Sequence, residues 1–548
     1  MSAARPTHFG SSPWLLPLLV TLTACHSPDA NKEAADREVL GILDQASAQL
    51  TGGRRHMPVE RPIDTLRQRL LRSHEPVRLS LVDALDVAAE NSRDFQRQKE
   101  TLYLAALNLT RSVNDFSLRF GGGGTGSVSG TADDSANARL GDDLSAQANS
   151  VAGTRMVANF VQTFLRSVLS GGGFDGSSIL DLTITQPLLR GSGRRIAREP
   201  LTQAERDVVY AMRDYERFRA QFATDVVGDY WTVVQQMRDL ANVQATYLSL
   251  SQSRQQLEQL FDAGRRTITD LGRAKQSEFS ADAQRVTAQN RLQTTLDRFK
   301  LTLGLPVTAK IELDPGELDR LSERGVTTVD LEEGTAVALS LQRRYDFRTT
   351  VDEVEDAGRR ALIAEDALNM QLDFTAAISV PAESGRGLDL DWSRIDWSAG
   401  VDLDLVLNRV PVRNAYRSAL ISFDQSIRAR EQNEDQLTAN VRSALRDIQA
   451  ALVSYQIQSE AVALAGQRVE ATTALYDAGR VQALEKLDAQ ASLLSAQLSR
   501  NAALVTYAIA RLALMNNLEA ITLEPHGLRF DLDLPMPQAK TTPLKTAE

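Results

Sequence analysis

The sequence predicts a mainly α-helical protein in which long, antiparallel, coiled-coil helices are interrupted by groups of β-strands. Apolar residues recur at steps of three and four through very long stretches, which is the pattern of helices packed along a narrow stripe. Between these stretches apolar and polar residues alternate, as they do in strands. Aromatic residues make up only 5% of the 548 residues, so thick cores of bulky side chains are not expected.

The first long helix is predicted over residues 200–262. Its apolar steps average about 3.5 residues, the period of a left-handed coiled coil. At about 1.5 Å per residue the helix is roughly 95 Å long, so it must pack lengthwise on its neighbours. Residues 437–455 and 484–512 repeat the pattern in the second half. The apolar stripe of the first helix consists of Val208, Met212, Tyr215, Phe218, Phe222, Val226, Tyr230, Val233, Met237, Leu240, Val243, Tyr247 and Leu250.

Four alternating segments are predicted strands: residues 180–185, residues 372–380, a segment in two pieces (388–392 and 401–405), and a weaker one from 116 to 120. Membrane barrels alternate lipid-facing apolar with lumen-facing polar residues in this way, although a soluble half-buried sheet alternates too. An open four-stranded sheet leaves unpaired edges in lipid, so several chains must share one barrel, and a dimer or a trimer satisfies the arithmetic. The polar positions predict an acidic lumen through Asp181, Asp373, Asp389, Asp391, Asp402 and Asp404.

The amino terminus resembles an export signal. Residues 14–20 form an apolar run too short to span a bilayer, and small residues precede Cys25. We interpret residues 1–24 as a lipoprotein signal peptide and Cys25 as the lipidation site; an ordinary signal peptide with a chance cysteine is the alternative. Cys25 is the only cysteine, so no disulfide can form within the chain.

The sequence is divided into two similar halves, residues 79–306 and 331–518. Residues 261–265 (FDAGR) and 476–480 (YDAGR) lie at the same point of both, which predicts an internal two-fold repeat.

Three segments are expected around the halves. They are a lipid-anchored periplasmic segment (25–78), a connector (307–330) and a tail (519–548). Within the first half, residues 121–176 are expected to be an inserted external loop that contains an amphipathic helix over residues 156–169, with a plug as an alternative role.

Several classes of protein are excluded. The formal charge of −10 without a basic stripe disfavours nucleic-acid binding. The chain has five histidines, no HExxH, Walker or GxSxG motif, and no cysteine besides Cys25. We therefore expect no catalytic residues, no metal site and no cofactor.

Several short patterns together resemble the TolC-like outer-membrane efflux family, in its lipoprotein branch. They are residues 186–189 (QPLL) leading through Arg194 and Arg195 into a long helix, the two Ala-Gly turns, and residues 303–306 (LGLP) closing the first half. The resemblance covers residues 79–518. It implies a homotrimer with a shared twelve-stranded barrel in outer-membrane lipid and a periplasmic helical barrel below. A periplasmic adaptor and an inner-membrane pump of the RND or ABC type open that helical barrel.

The resemblance also implies a gate at the hairpin tips, where Gly264 and Gly479 make the turns. Asp270 and Tyr476 take the places of the gate aspartate and tyrosine. The family's gate arginine is expected two residues after Gly479, but Val481 lies there. Arg480, Arg265 or Arg266 would then take the place of that arginine.

Glu485 and Asp488 take the places of the family's constriction acids. Their spacing puts them on one helix face, where a solvated surface is the plainer interpretation. The resemblance favours a carboxylate ring instead, because threefold symmetry would gather these acids into a narrow mouth that attracts cations.

Two functions follow from these observations. One is the exit duct of a tripartite efflux or type I secretion system, for a drug, a metal ion or a protein. The alternative is a lipid-anchored coiled-coil scaffold without a pore, which explains the helices and the leader but not the alternating strands.

Overall fold

The computed structural model describes residues 27–531 apart from short gaps. Cys25 and the predicted signal peptide therefore lie outside the described residues. The gaps are residues 52, 54–58, 62–63, 74–75, 132–134, 168–174, 383–389, 406 and 525–526.

The first half is a helical lead, four strands and a long helical hairpin. Its two hairpin helices are 64 and 35 residues long. The elements are α1 (Pro28–Thr51), α2 (Leu66–Ser73), β1 (Val77–Leu79), α3 (Leu81–Asn91), α4 (Arg93–Asp115), β2 (Arg119–Thr131), β3 (Ser135–Asn149), β4 (Arg155–Ser167), β5 (Asp175–Pro187), α5 (Arg194–Ala197), α6 (Glu199–Asp262) and α7 (Ile268–Thr302).

The second half follows the same order with fewer strands. Its hairpin helices are 68 and 35 residues long. The elements are β6 (Ile311–Leu313), α8 (Glu317–Arg324), α9 (Glu333–Arg343), α10 (Tyr345–Asp366), β7 (Gln371–Pro381), β8 (Asp396–Asp404), α11 (Val410–Asp477) and α12 (Ala483–Asn517). The predicted long helices are thus present, and α6 begins one residue before the expected start.

The strands form one antiparallel sheet in the order β2-β3-β4-β5-β7-β8. Six strands lie in this sheet, so the expected four strands per chain is wrong. β3 and β4 were not predicted from the sequence, and β2 begins at Arg119 rather than at Phe116. Of the segment expected over 388–392, the described part forms only an isolated bridge from Leu390 to Ala382.

The prediction that residues 121–176 form an external loop containing an amphipathic helix is also wrong. Residues 155–167 form β4, and most of the rest lies in β2 and β3. The apolar pairs recur every four residues, and four is a multiple of the strand period of two as well as close to a helical turn. In the strand each pair is split between faces, so that Phe160 and Val161 point to opposite sides.

The register gives the sheet two faces. The apolar face comprises the even-numbered positions of β2–β5 and β7 and the odd-numbered positions of β8, because directly paired residues share a face. The opposite side is the polar face. Large side chains on the apolar face are Phe120, Val128, Leu140, Leu144, Met156, Phe160, Phe164, Leu180, Leu182, Ile184, Leu372, Phe374, Ile378, Val380, Trp397, Val401 and Leu403.

The main hydrophobic core surrounds the first half of α6, from Leu201 to Val234. Stacked rings of Phe95, Phe218 and Phe222 join α4 to α6, with centroids 5.5–6.5 Å apart. The buried Tyr230 hydroxyl donates to Leu79 O (3.1 Å) and accepts from Asp314 N (3.2 Å), which ties α6 to the parallel β1–β6 pair. Burial raises the pKa of Tyr230 to about 12, so this hydroxyl keeps its proton at neutral pH.

The segment after α12 is held on α6 by a buried arginine. Arg219, 2% exposed, donates to the backbone oxygens of Glu524 (2.9 Å) and Gly527 (2.8 Å) and pairs with Glu216 (2.9 Å). An exposed pair, Arg529 with Asp86, ties the same segment to α3.

We expect Arg219→Met to release residues 523–530 from the helical body. The substitution removes donors from two carbonyls and breaks a buried ion pair, a loss of about 3–5 kcal/mol in comparable cases. Limited proteolysis of the purified protein should then cut this segment at least tenfold faster. Arg529→Met is the matched control, because an exposed pair contributes little. Equal cleavage rates in both variants would contradict the anchoring role.

Among the described residues, no helix is both long enough and apolar enough to cross a membrane.

Candidate functional site at the hairpin tips and the polar face

Both hairpins turn through a glycine with a left-handed backbone. Gly264 has φ 69°, its N–H donates to Phe261 O (2.8 Å), and the N–H of the next residue donates to Leu260 O (2.8 Å). Gly479 has φ 73° and makes the equivalent bonds, 2.9 Å to Tyr476 O and 2.8 Å from the next N–H to Leu475 O. This pair of backbone hydrogen bonds is the Schellman motif at the end of a helix, which favours glycine at the left-handed position. Both glycines thus lie at the predicted tips.

Asp270 lies in the capping box of α7. Its carboxylate accepts from Thr267 N (3.4 Å) and Thr267 Oγ1 (2.9 Å), while Thr267 Oγ1 accepts from Asp270 N (3.2 Å). A carboxylate in the first turn also interacts favourably with the helix dipole. Within the single chain, Asp270 therefore stabilises the start of the return helix. Its part in a gate between copies stays a prediction.

The ring of Tyr476 joins the two tips. The guanidinium of Arg266, in the first turn, and the ammonium of Lys486, in α12, each lie 5.1 Å from the ring centroid. Cations at that distance are attracted by the ring quadrupole. We call Arg266, Tyr476 and Lys486 the tip cluster. It connects hairpin α6–α7 to hairpin α11–α12 within one chain.

An apolar layer supports the tip cluster. Tyr476 and Tyr247 pack against buried residues drawn from both hairpins, so that the hairpins share one small core. The buried members are Leu250, Leu257, Ala274, Ala281, Ala483 and Leu487.

Polar contacts continue the attachment along α6 and α12. Gln490 Nε2 donates to Ser249 Oγ (2.9 Å), and the buried Asn501 donates through Nδ2 to Asp239 Oδ1 (2.9 Å). Burial raises the pKa of Asp239, although the hydrogen bonds from Asn501 and Gln235 oppose the shift. The first hairpin is further held by Arg254, which pairs with Glu258 and Glu278 at 2.6 Å each.

The other predicted tip residues lie on the surface. Arg480 is exposed, and the arginine over Tyr476 is Arg266 instead. Glu485 and Asp488 are exposed in the first turns of α12, three residues apart. Lys486 was not predicted as a tip residue, because it reaches Tyr476 only across the folded turn.

The polar face of the sheet is acidic. Seven aspartates and three arginines lie on it in the described strands. Asp373 and Asp402 are directly opposite each other, Ser379 Oγ donates to Asp181 (2.6 Å), and Thr375 Oγ1 donates to Asp402 (3.1 Å). The aspartates are Asp143, Asp175, Asp181, Asp373, Asp396, Asp402 and Asp404, and the arginines are Arg119, Arg139 and Arg155.

Four of the six predicted lumen aspartates, at 181, 373, 402 and 404, thus share this face. Asp389 lies outside the described residues. Asp391 lies in a turn outside the strands, where it accepts a hydrogen bond from Ser393 N (3.0 Å).

A sheet with one apolar and one acidic face, continued by long paired hairpins, defines the class of outer-membrane channel subunits. The chain belongs to the outer membrane efflux protein family, whose model matches residues 141–305 and 336–518. Proteins of this family are outer-membrane channels with a periplasmic part. No curated protein matches the chain by sequence.

Solved structures of channels share the fold. The CmeC outer membrane channel of Campylobacter jejuni superposes with a TM-score of 0.61 and 14% identity, over 80% of this chain and 85% of that one. VceC of Vibrio cholerae gives 0.59 and 17%, over 80% and 95%. The MtrE channel of Neisseria gonorrhoeae, solved in its open state, gives 0.58 and 14%, over 80% and 88%.

Proposed function

We propose that three copies of this chain form the exit duct of a tripartite efflux or type I secretion system. The sheet supplies the wall of a shared barrel in the outer membrane, with its acidic face toward the lumen. The hairpins form a periplasmic tube that a periplasmic adaptor and an inner-membrane pump open at the tips. Lipid on Cys25 anchors each copy to the membrane.

The observation that carries this proposal is the two-faced sheet on the same chain as the hairpins. An apolar face of this size has no partner within the described chain, and lipid is the environment that it fits. A scaffold without a pore accounts for the hairpins but gives no role to the acidic face.

At the tips, we propose that Asp270, Tyr476 and an arginine hold the closed state, and that Glu485 and Asp488 line the constriction. The exposure of both acids and their common helix face support this placement. Arg266 fits the arginine role better than Arg480, because its guanidinium already lies over the Tyr476 ring.

The proposal is tested by the conductance of the purified protein in planar lipid bilayers. A duct gives discrete channels, with the tip-cluster variants described below supplying an open form. Absence of channels from the wild type and from those variants would favour the scaffold.

We expect these channels to select cations, and Asp373→Asn with Asp402→Asn to lower the cation-to-anion permeability ratio several-fold. The two carboxylates face each other across β7 and β8, so the substitution also relieves a like-charge pair and should not disrupt the sheet. Reversal potentials in a salt gradient measure the ratio.

Asp142→Asn is the matched control, because Asp142 lies on the apolar face beside the lumen-facing Asp143. The double variant Glu485→Gln with Asp488→Asn distinguishes a contribution of the tip from that of the barrel. If only this variant changes the cation-to-anion permeability ratio, the constriction at the tip sets the selectivity. Anion selectivity of the wild type would refute the assignment of the polar face to the lumen.

A further inference from the structure

The two edges of the six-stranded sheet, β2 and β8, have no partner strand among the described residues. Edge strand β8 is exposed along its whole length, and edge strand β2 is exposed from Phe120 to Gly130. Both edges carry apolar-face side chains that are largely open to the surroundings: Phe120 is 78% and Trp397 77% exposed. Free backbone donors and acceptors beside apolar surface are not tolerated in lipid, so each edge must find another strand.

Strands β3 and β4 are full members of the sheet. β3 pairs with β2 from Ser135 to Gln147, and β4 pairs with β5 from Arg155 to Leu165. Both faces of the sheet continue through β3 and β4: their even-numbered positions lie on the apolar face and their odd-numbered positions on the polar face. Phe160, for example, lies between Leu144 and Leu180 on the apolar face. Nothing in this register separates β2 and β3 from the wall that β5, β7 and β8 build.

The directions of the edge strands allow closure by copies of the same chain. β2 leaves α4 and runs away from the hairpins, whereas β8 runs back toward α11. The two edges are therefore antiparallel, so that pairing them between copies keeps every neighbouring pair in the barrel antiparallel. An odd number of strands per chain would have made them parallel.

We propose, building on the trimeric duct above, that β2 of one copy pairs with β8 of the next. Three copies of a six-stranded sheet then close an eighteen-stranded barrel. Barrel diameter grows roughly in proportion to strand number, so this barrel is about half as wide again as one of twelve strands at the same tilt. Barrels of about this size leave an open aqueous channel. The outer-membrane exit therefore accepts bulky hydrated cargo.

Disulfide crosslinking between copies tests the strand order. Ser398→Cys on β8 is combined in turn with Gly123→Cys, Thr125→Cys or Ser127→Cys on β2, all on the polar face. Three positions allow for the unknown stagger between copies. A disulfide needs Cα atoms within about 7 Å, which neighbouring strands satisfy and strands two apart, at about 10 Å, do not. Within one chain β2 and β8 are five strands apart, so any such crosslink joins two copies.

The matched series places the second cysteine on β4, as Val157→Cys, Asn159→Cys or Val161→Cys, also on the polar face. These would crosslink to Ser398→Cys only if β2 and β3 lay outside the barrel and β4 formed its edge. We expect covalent trimers from the β2 series and none from the β4 series.

Pore size gives a second measurement. Replacing residues 132–174 by Asn-Gly joins β2 directly to β5, with positions 128 and 178 still on the apolar face, and leaves four strands per chain. Replacing residues 168–174 alone by Asn-Gly keeps all six. In the open tip-cluster variant, we expect the four-strand form to exclude smaller polyethylene glycols and to conduct about twofold less, since area scales with the square of diameter. The six-strand control should match the parent.

The outcomes separate the two proposals. A conducting trimer without β2–β8 crosslinks, or with β4–β8 crosslinks, overturns the eighteen-stranded barrel and leaves the duct intact. Protein that neither oligomerises, by native mass spectrometry, nor conducts overturns the duct itself.

Discussion

Replacing Arg266 and Lys486 together with alanine is expected to convert the resting channel from mostly closed to mostly open. Each cation contributes about 0.5–1 kcal/mol to its contact with the Tyr476 ring at an exposed site. Two contacts in each of three copies then add about 3–6 kcal/mol if the tips open together. A change of about 5.5 kcal/mol moves a two-state equilibrium from 1:99 to 99:1. Resting conductance in planar bilayers, without adaptor or pump, measures the shift.

Substitutions at Tyr476 decide which part of the side chain matters. Tyr476→Phe keeps the ring and both cation contacts, so conductance should stay low. Tyr476→Ala removes the ring and should open the channel as the double variant does. A rise in Tyr476→Phe that equals the rise in Asp270→Ala would instead assign the latch to the hydroxyl and the carboxylate.

Two arginine variants serve as controls for the tip cluster. Arg265→Ala changes the neighbouring, exposed arginine of the same turn and should leave conductance at the resting level. Arg480→Ala tests the arginine that the sequence favoured. An open channel in Arg480→Ala, with a closed one in Arg266→Ala, would reverse our assignment of the latch arginine.

Gly304→Ala is expected to destabilise the protein by about 3 kcal/mol. A Cβ at this position would lie 2.2 Å from Asn91 O and 2.5 Å from Asn91 C, and φ is 74°. Both neighbours are backbone atoms, so no side-chain rotation relieves the clash. Overpacking typically costs about 1–3 kcal/mol, and a left-handed alanine about 1–2 kcal/mol more. The midpoint of denaturant unfolding, followed by helical circular dichroism in detergent, measures the loss.

Gly325→Ala is the matched control for this prediction. Its φ of 73° is nearly the same, but a Cβ there meets nothing within 4 Å, so only the backbone strain remains. Glu519 shows that such a turn tolerates a side chain where there is space. It ends α12 with the same pair of backbone hydrogen bonds that Gly304 makes after α7, at φ 49°. Equal losses in both alanine variants would show that strain, and not the approach of Asn91, makes glycine necessary at position 304.

The helices of this protein could be predicted well from the sequence because their signals are local. The apolar stripe of α6 repeats at every turn, and glycine marks both tips. The export signal and the lipidation of Cys25 stay predictions, because residues 1–26 lie outside the described part of the chain.

The strands were predicted less well, because a strand is defined by its partner. Asp373 and Asp402 alternate with apolar residues and were assigned to the polar face correctly. The glycine-rich start of β2 and the four-residue period of β4 did not resemble strands. Their place becomes evident only when β3 lies between them and pairs with both.

The sequence by itself therefore determined the long hairpins, their turns, and the placement of the strand aspartates on one face of the sheet. Each of these depends on residues within one or two turns of each other. The tertiary structure alone decided that the sheet has six strands and that Arg266 and Lys486 meet at Tyr476. Those features depend on hydrogen bonds and ring contacts between segments distant along the chain, and a local pattern carries no information about which segments will meet.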